Sequence, residues 1–390
     1  MTSVLASHLL TSFSCLGDKC ADTCCRGWSM QLDETMLAKY KKEAPELLDA
    51  VEASVESPFI MRKDKATGYC VKFDNGWCGI HKEKGDTFLG DACYFYPRVT
   101  RSLGDMAVMT ATLSCPEITR IVLSADNPFA FDASDANRFP DTLKNYLPEA
   151  LNAQDALSVH EAFLAAARDE AVTAEHIVCR LASVTRSIQL IDKKTWAQAV
   201  PFYLRNADAR LLPAEQNSAD PFNLLHALSG LIVASHKPMP ERLSQTISTM
   251  EKMLHVMLDW QNVLIHTSDE SAPAYQKMAE AWNTSVSHYE IILKRYLEAQ
   301  LAIALFPFAG LGEKLEDRIT IIGVRLATVK LALMCEHAAA GATLSVDTII
   351  RVIQSLSRFL DHLGDPAFSL EIYKETGWVK EGRLRGLLSV

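Results

Sequence analysis

Four cysteines within eleven residues, Cys15, Cys20, Cys24 and Cys25 in the stretch CLGDKCADTCCRGW, constrain this chain more than any other feature. Four more follow as Cys70, Cys78, Cys93 and Cys115, so eight of the ten cysteines fall within the first 115 of 390 residues. What so many thiols can do depends on the redox compartment. No apolar run approaches the roughly 18–20 residues that cross a bilayer, and the best, Leu224 to Ser235, already contains a histidine. The opening MTSVLASHLLTSFSC carries no Lys or Arg before a short apolar stretch broken by His8 and serines, so it does not read as a secretory signal. The expectation is a cytoplasmic protein, and cytosolic thiols are kept reduced. A dense cluster there binds metal or does redox chemistry more often than it forms structural disulfides. Cys179 and Cys335, alone in helical-looking sequence, read as buried apolar residues.

The first third is irregular. Asp33 is placed to cap a helix from Leu32 that breaks near Pro45. Asn75-Gly76 predicts a tight hairpin that would set Cys70 and Cys78 on paired strands, and Gly104-Asp105 predicts a second hairpin. Ser114 and Glu117 have capping-box spacing around Pro116, which puts Cys115 at a helix amino terminus, where free N–H groups and the dipole favour a thiolate. From about Asp132 the pattern becomes helical. In Ser345–Leu363, Ile349, Ile353, Leu356, Leu360 and Leu363 share one face, and similar segments run over about 241–266, 274–305 and 312–337. The fold class is mainly α: a cysteine-rich α+β metal-binding domain over 1–130 with small hairpins, packed on a multi-helix domain over 131–390 that binds substrate or partner. With 48% hydrophobic residues the chain can bury a sizeable core, and its net charge of −9 argues against nucleic-acid binding and suits a basic partner.

Three templates compete for the thiols. Structural zinc sites commonly use pairs of C-x2-C knuckles, which are absent here, so zinc is demoted. The C-x3-C-x2-C pattern of radical S-adenosylmethionine enzymes fails because Gly27 stands where the third cysteine belongs. An iron–sulfur cluster, whose thiolates arrive at irregular spacings from several loops, remains, with Cys15, Cys20, Cys24, Cys25, Cys70, Cys78, Cys93 and Cys115 as candidate ligands. Eight exceed what one four-iron cluster needs. Cys20, Cys24 and Cys25 with Cys93 are the preferred set, and Cys70, Cys78 and Cys115 are substitutes. A redox-active thiol module and inert buried cysteines are the alternatives.

The order FSCLGDKCADTCCRGW, Cys70, GWCGIH, LGDACYFYPR and LSCPEITR resembles the flagellin lysine-N-methylase (FliB) family, whose cysteine region is related to the CxxCxxxCC-type metal-chelating proteins of the YkgJ group. Near the other end, RYLEAQLAIALFPF and VIQSLSRFLDH resemble that family's Phe-Pro-Phe segment and its Gln-Ser-x-Ser-Arg-x-x-x-His helix. The resemblance implies S-adenosylmethionine-dependent methylation of flagellin lysines with a 4Fe-4S cluster taking part. The expected protein is a monomer whose partner is flagellin, with neither nucleic acid nor membrane. The one close glycine pair in the helical region, Gly310-Leu311-Gly312, follows ALFPFA instead of an apolar strand, so a dinucleotide-type cofactor site is not expected. The runner-up is a non-catalytic iron–sulfur or zinc-binding electron-transfer or adaptor protein.

Methyl transfer needs a base for the lysine. Asp22, Asp91 and Tyr94 are candidates by proximity in sequence, each also readable as a turn or packing residue. Arg98 either binds the cofactor's carboxylate as a planar fork or pairs with a local acid. Trp28 and Trp77 either shield a cluster or are plain core, and His81 reads as an exposed loop histidine before it reads as a ligand. Arg358 and His362 share a helix face and either meet the cysteine region or form a surface pair.

Overall fold

The structure, a computed structural model, describes residues 3–26, 28–53, 59–140, 143–310, 312–363 and 366–389. Strand β1 (Ser3–Ser7) leads into the cysteine loop. Helix α1 (Glu34–Glu43) starts where Asp33 accepts the Met36 N–H at 2.7 Å, and a 3₁₀ turn over Pro45–Ala50 follows it. Strands β2 (Phe73–Asp74) and β3 (Trp77–Cys78) turn through Asn75 and Gly76, both at positive φ, 47° and 87°. Phe73 sits opposite Cys78, so Cys70 lies outside this ladder and bridges Lys63 instead. The expectation that Cys70 and Cys78 occupy paired strands is corrected: the hairpin is too short to reach Cys70. The second hairpin forms as expected, with β4 (Arg98–Leu103) and β5 (Met106–Ala111) joined through Gly104 at φ 68°.

Helix α2 (Pro116–Ser124) has Cys115 as its cap residue, yet the capping box is not made. Buried Ser114 lies one residue too early and turns its hydroxyl toward Tyr96 and Thr112, while Glu117 takes a fork from Arg120 at 2.7 and 2.6 Å. Strand β6 (Phe131–Ala133) completes a four-stranded sheet of order β4-β5-β1-β6, in which β1 runs parallel to β5 and antiparallel to β6.

The helices continue as α3 (Ala153–Ala167), α4 (Ala174–Ile188), α5 (Trp196–Arg205), α6 (Asp220–Ala234) and α7 (Glu241–Leu254). The helix expected to reach residue 266 stops early. His255 adopts a left-handed conformation at φ 51°, and strands β7 (Val256–Asp259) and β8 (Leu264–Thr267) pair around a turn in which Asp259 accepts the N–H groups of Gln261 and Asn262. Then come α8 (Ser271–Ile303), α9 (Leu315–Ala340), α10 (Val346–Leu360), α11 (Pro366–Glu375) and α12 (Glu381–Leu388). Ser345 caps α10 by accepting the Thr348 N–H at 3.2 Å, and Ile349, Ile353, Leu356 and Leu360 are buried as the periodicity requires. Helix α9 is buried almost all round from Ile319 to Glu336 and touches α4, α6, α7, α8, α10, α11 and α12, so it is the axis of the helical assembly.

Two apolar cores result. The larger joins the sheet residues Leu103 and Val108 and Ile118 of α2 to the helices, whereas a smaller one gathers Cys25, Met30, Met36, Tyr40, Cys70 and Ile80 in the cysteine-rich segment. Cys179 and Cys335 are buried in the larger core, as expected. Among the described residues no helix is long and apolar enough to cross a membrane.

Candidate functional site

Apart from Cys70, the cysteines of the front segment arrive from four local structures. Cys15, Cys20, Cys24 and Cys25 lie along the opening loop, Cys78 ends β3, Cys93 sits in a short helix over Asp91–Phe95, and Cys115 caps α2. The loop closes onto the hairpin because Gly17, at φ 57°, lets the Trp77 ring pack against it: a Cβ there would lie 2.9 Å from that ring. Seven thiols, Cys15, Cys20, Cys24, Cys25, Cys78, Cys93 and Cys115, line one cavity of about 350 Å³. Cys70 is buried beside it, outside the lining, and its N–H donates to the Cys25 carbonyl at 2.8 Å.

Cys25 is the thiol of this group that keeps its proton. Hydrogen bonds with Cys24 and Cys78 push its own acidity far down, and the same bonds lower the Cys24 thiol and bring Cys78 down to about 6. Burial raises Cys20, Cys70 and Cys93, and it pushes Cys115 up to about 12 despite the N–H groups of Glu117 and Ile118. The expectation that the helix terminus makes Cys115 a thiolate is therefore corrected, because desolvation outweighs the dipole. Among the described residues no three His, Cys, Asp or Glu side chains stand in metal-coordinating geometry. Soft sulfur donors of the kind that hold metal clusters nonetheless converge from separate loops on one cavity, within the roughly 300–1,000 Å³ range of small-molecule sites.

Helix α10 closes the cavity from the other side. Gln354, Arg358 and His362 recur every four residues along α10 and its end, and all three reach the front segment. Fully buried Gln354 donates from Nε2 to Asp22 Oδ2 at 2.9 Å and to the Ser114 carbonyl at 3.0 Å, and it accepts from Arg242 Nε at 2.9 Å. Arg358 forms an ion pair with Asp22 and donates to the Arg26 carbonyl at 2.5 Å. His362 lies 3.3 Å from the Ser114 hydroxyl and stacks on Trp28 at 6.0 Å, and burial lowers its pKa. The surface-pair reading of Arg358 and His362 is thereby replaced by a buried contact with the cysteine region.

The other candidates separate. Asp22 and Tyr94 line the thiol cavity, whereas Asp91 does not and pairs with Arg138 at 2.9 Å. Arg98 lines it too, donating to the Tyr94 carbonyl at 3.3 Å with its guanidinium 5.8 Å from the Phe13 ring centre, and no carboxylate among the described residues takes it. Trp28 donates its indole N–H to the Cys24 carbonyl at 2.6 Å, and Trp77 turns a buried indole N–H without a partner beside the thiols. His81 belongs to the helix Gly79–Lys84 and lines the cavity half-buried, edge-on to Trp77, instead of lying in an exposed loop. Nothing in the sequence singles out Tyr96 or Arg242, and it offers Ser114 only as a helix cap. Gln354 has a signal, because it stands one turn before Arg358.

A second, larger cleft of about 1,360 Å³ shares Cys20, Asp22, Thr23, Trp28, Gly76 and Arg358 with the thiol cavity and opens between the cysteine-rich segment and helices α6, α7 and α10. The two spaces meet at Asp22. The glycine pair Gly310 and Gly312 lies between α8 and α9 with no strand leading into it, so it forms no dinucleotide-type turn.

Residues 181–377, half of the chain, match the family model described as the FliB lysine N-methylase C-terminal domain, and this stretch contains Arg242, Gln354, Arg358 and His362. A flagellar biosynthetic protein FliU from Salmonella muenchen is 26% identical over 139 residues, which are 33% of this chain and 81% of the relative. Lysine-N-methylases from Salmonella choleraesuis and Salmonella typhimurium are 27% and 26% identical over 140 and 139 residues, again 33% of this chain but only 34% of each relative. No solved structure matches the chain. The chain belongs to the FliB lysine N-methylase family.

Proposed function

We propose that this protein N-methylates lysine side chains of flagellin, taking the methyl group from S-adenosylmethionine, with an iron–sulfur cluster held by thiols of the cysteine cavity. The observation that carries the reading is the convergence of seven cysteines on one cavity that meets a much larger cleft at Asp22. The smaller space suits a cofactor, and the larger one can take part of a polypeptide. Two relatives are named lysine-N-methylases and a third a flagellar biosynthetic protein, which supports both the reaction and the substrate.

The cysteines lining the cavity would hold the cluster, which when bound supplies an iron able to chelate the amino and carboxylate groups of the methyl donor. Arg98, on the same wall and unclaimed by a carboxylate, adds a fork for that carboxylate. In the polar route the lysine nitrogen attacks the methyl carbon. A C–N bond forms as the methyl–sulfur bond breaks, and the proton lost from the nitrogen passes to a base. Asp22 already accepts from Gln354, Arg358 and the Thr23 N–H, so its oxygens are committed to groups of the protein and it is not the base. His362, lining the cleft and kept neutral by burial, is the group placed to receive the proton.

The test is anaerobic purification followed by transfer of labelled methyl from S-adenosylmethionine to flagellin. A brown protein with broad visible absorption that labels flagellin supports the reading. Colourless protein with stoichiometric zinc sinks the cluster, and a cluster-loaded protein that transfers no methyl sinks the activity.

A further inference from the structure

The large cleft carries a charge opposite to that of the whole chain. Arg26 and Lys65 come from the cysteine-rich side, and Lys237 and Arg242 from the facing helical side. Arg358 and Asp22 also line it but neutralise each other, which leaves Asp18 and Glu241 as the opposing acids among the described lining residues. Four bases against two acids leave a formal surplus of two positive charges facing the opening of a protein whose net charge is −9. These bases are held in place. Lys65 rides a turn closed by Asp64, which accepts the N–H groups of Ala66 and Thr67 at 3.1 and 2.8 Å, and the Arg26 guanidinium lies 5.1 Å from the Tyr69 ring centre. Lys237 donates to the His362 carbonyl at 2.9 Å, and Arg242 is fixed by Gln354.

Two basic walls facing each other across open space repel, and an anionic occupant between them relieves that repulsion. The arrangement also answers a difficulty in the proposed reaction: a lone lysine ammonium would be repelled on its way through this cleft to the junction. Resting on the proposed lysine methylation, we infer that the cleft binds a polypeptide segment in which the target lysine is flanked by aspartate and glutamate. The flanking carboxylates engage Arg26, Lys65, Lys237 and Arg242 and so carry the ammonium between them to the junction with the thiol cavity. Selection thus lies in the charge around the lysine. A nucleic acid, the other polyanion that basic walls attract, is disfavoured by the acidity of the remaining surface.

The experiment measures fluorescence anisotropy of labelled lysine peptides carrying acidic, amide or basic flanks, with a single-stranded oligonucleotide as a further probe. Wild-type protein is compared with the double variant Lys65→Glu/Lys237→Glu, whose folding is checked by circular dichroism. Acidic flanks are expected to bind about tenfold more tightly than amide flanks, with the advantage lost in high salt and in the double variant. Equal binding of acidic and amide peptides, or tighter binding of the oligonucleotide, overturns the inference. Because the readout is binding, a flank preference without methyl transfer would fault the proposed reaction alone, whereas methylation with no flank preference would fault this inference alone.

Discussion

Gln354 and His362 show how single side chains set the junction between the two spaces. Gln354 has no exposed surface and satisfies Asp22, the Ser114 carbonyl and Arg242 at once. Gln354→Leu keeps the volume and leaves those groups short of partners, so a loss of about 1–3 kcal/mol is expected in denaturant unfolding, together with slower methyl transfer at unchanged iron content. For His362 the pH dependence gives the sign. Burial holds its pKa below the usual value near 6.5, and a base must be neutral to accept a proton. The rate should therefore be flat at neutral pH and fall with acid only below about pH 6.5. His362→Gln should lower the rate roughly 100-fold and remove this acidic limb while iron per protein stays constant, and a variant that keeps the limb rules His362 out. A second histidine affects stability only. Buried His160, bonded to the Phe306 carbonyl, has its pKa lowered to about 4 by desolvation, so the unfolded chain takes up a proton that the folded one refuses. Its contribution is complete above about pH 6.5 and is lost as pH falls toward 4, about 2 kcal/mol between about pH 7 and pH 5, a slope that should flatten in His160→Gln by chemical denaturation.

At the level of elements, the sequence was legible wherever local chemistry decides the outcome. Asp33 caps the helix it is placed to cap, the amphipathic segment expected from Ser345 begins at that residue, and the two glycine-containing hairpins turn where the sequence puts them. It was misleading where burial competes with local preference. Ser114 has the spacing of a cap but spends its hydroxyl on tertiary partners, and Cys115 has the position of a thiolate but is desolvated. After Leu254 the apolar residues Met257, Leu258, Leu264 and Ile265 fit either periodicity, and the deciding feature, the turn that Asp259 closes, needs only a few residues. Which thiols meet was the least legible point, since long-range packing of loops decides it: Cys70 was placed beside Cys78 on a ladder and instead lies outside the cavity lining, while distant Cys115 is in it. Helix α10 carries the partners of Asp22, so its cap can be probed apart from its chemistry. Ser345→Ala should cost about 1 kcal/mol in thermal unfolding and leave methyl transfer unchanged, because residue 345 lies at the end of α10 away from Arg358 and His362.

Over the whole molecule, stability is unevenly distributed. Among the described residues the smaller core holds thirteen buried ones, whereas the larger one runs through the sheet and the helices around α9. Free energy for local opening follows buried apolar area, so the cysteine-rich segment should open far more readily than α9 in amide hydrogen exchange. Its cysteines form no disulfide, and its polar ties to the helical part include those of Asp22 to Gln354 and Arg358, of the Arg26 carbonyl to Arg358 and of Asp91 to Arg138. A ligand that binds only the closed arrangement adds to the opening free energy in proportion to the logarithm of its concentration over its dissociation constant. A metal centre held by several of these thiols is such a ligand, because in the opened chain they no longer converge. Removing the metal with a chelator under anaerobic conditions should therefore raise exchange in the segments carrying the cysteines and in β2 and β3, and should leave α4 and α9 at their former rates. Equal exchange in these segments before and after metal removal would mean that the thiols hold nothing that orders the front of the molecule.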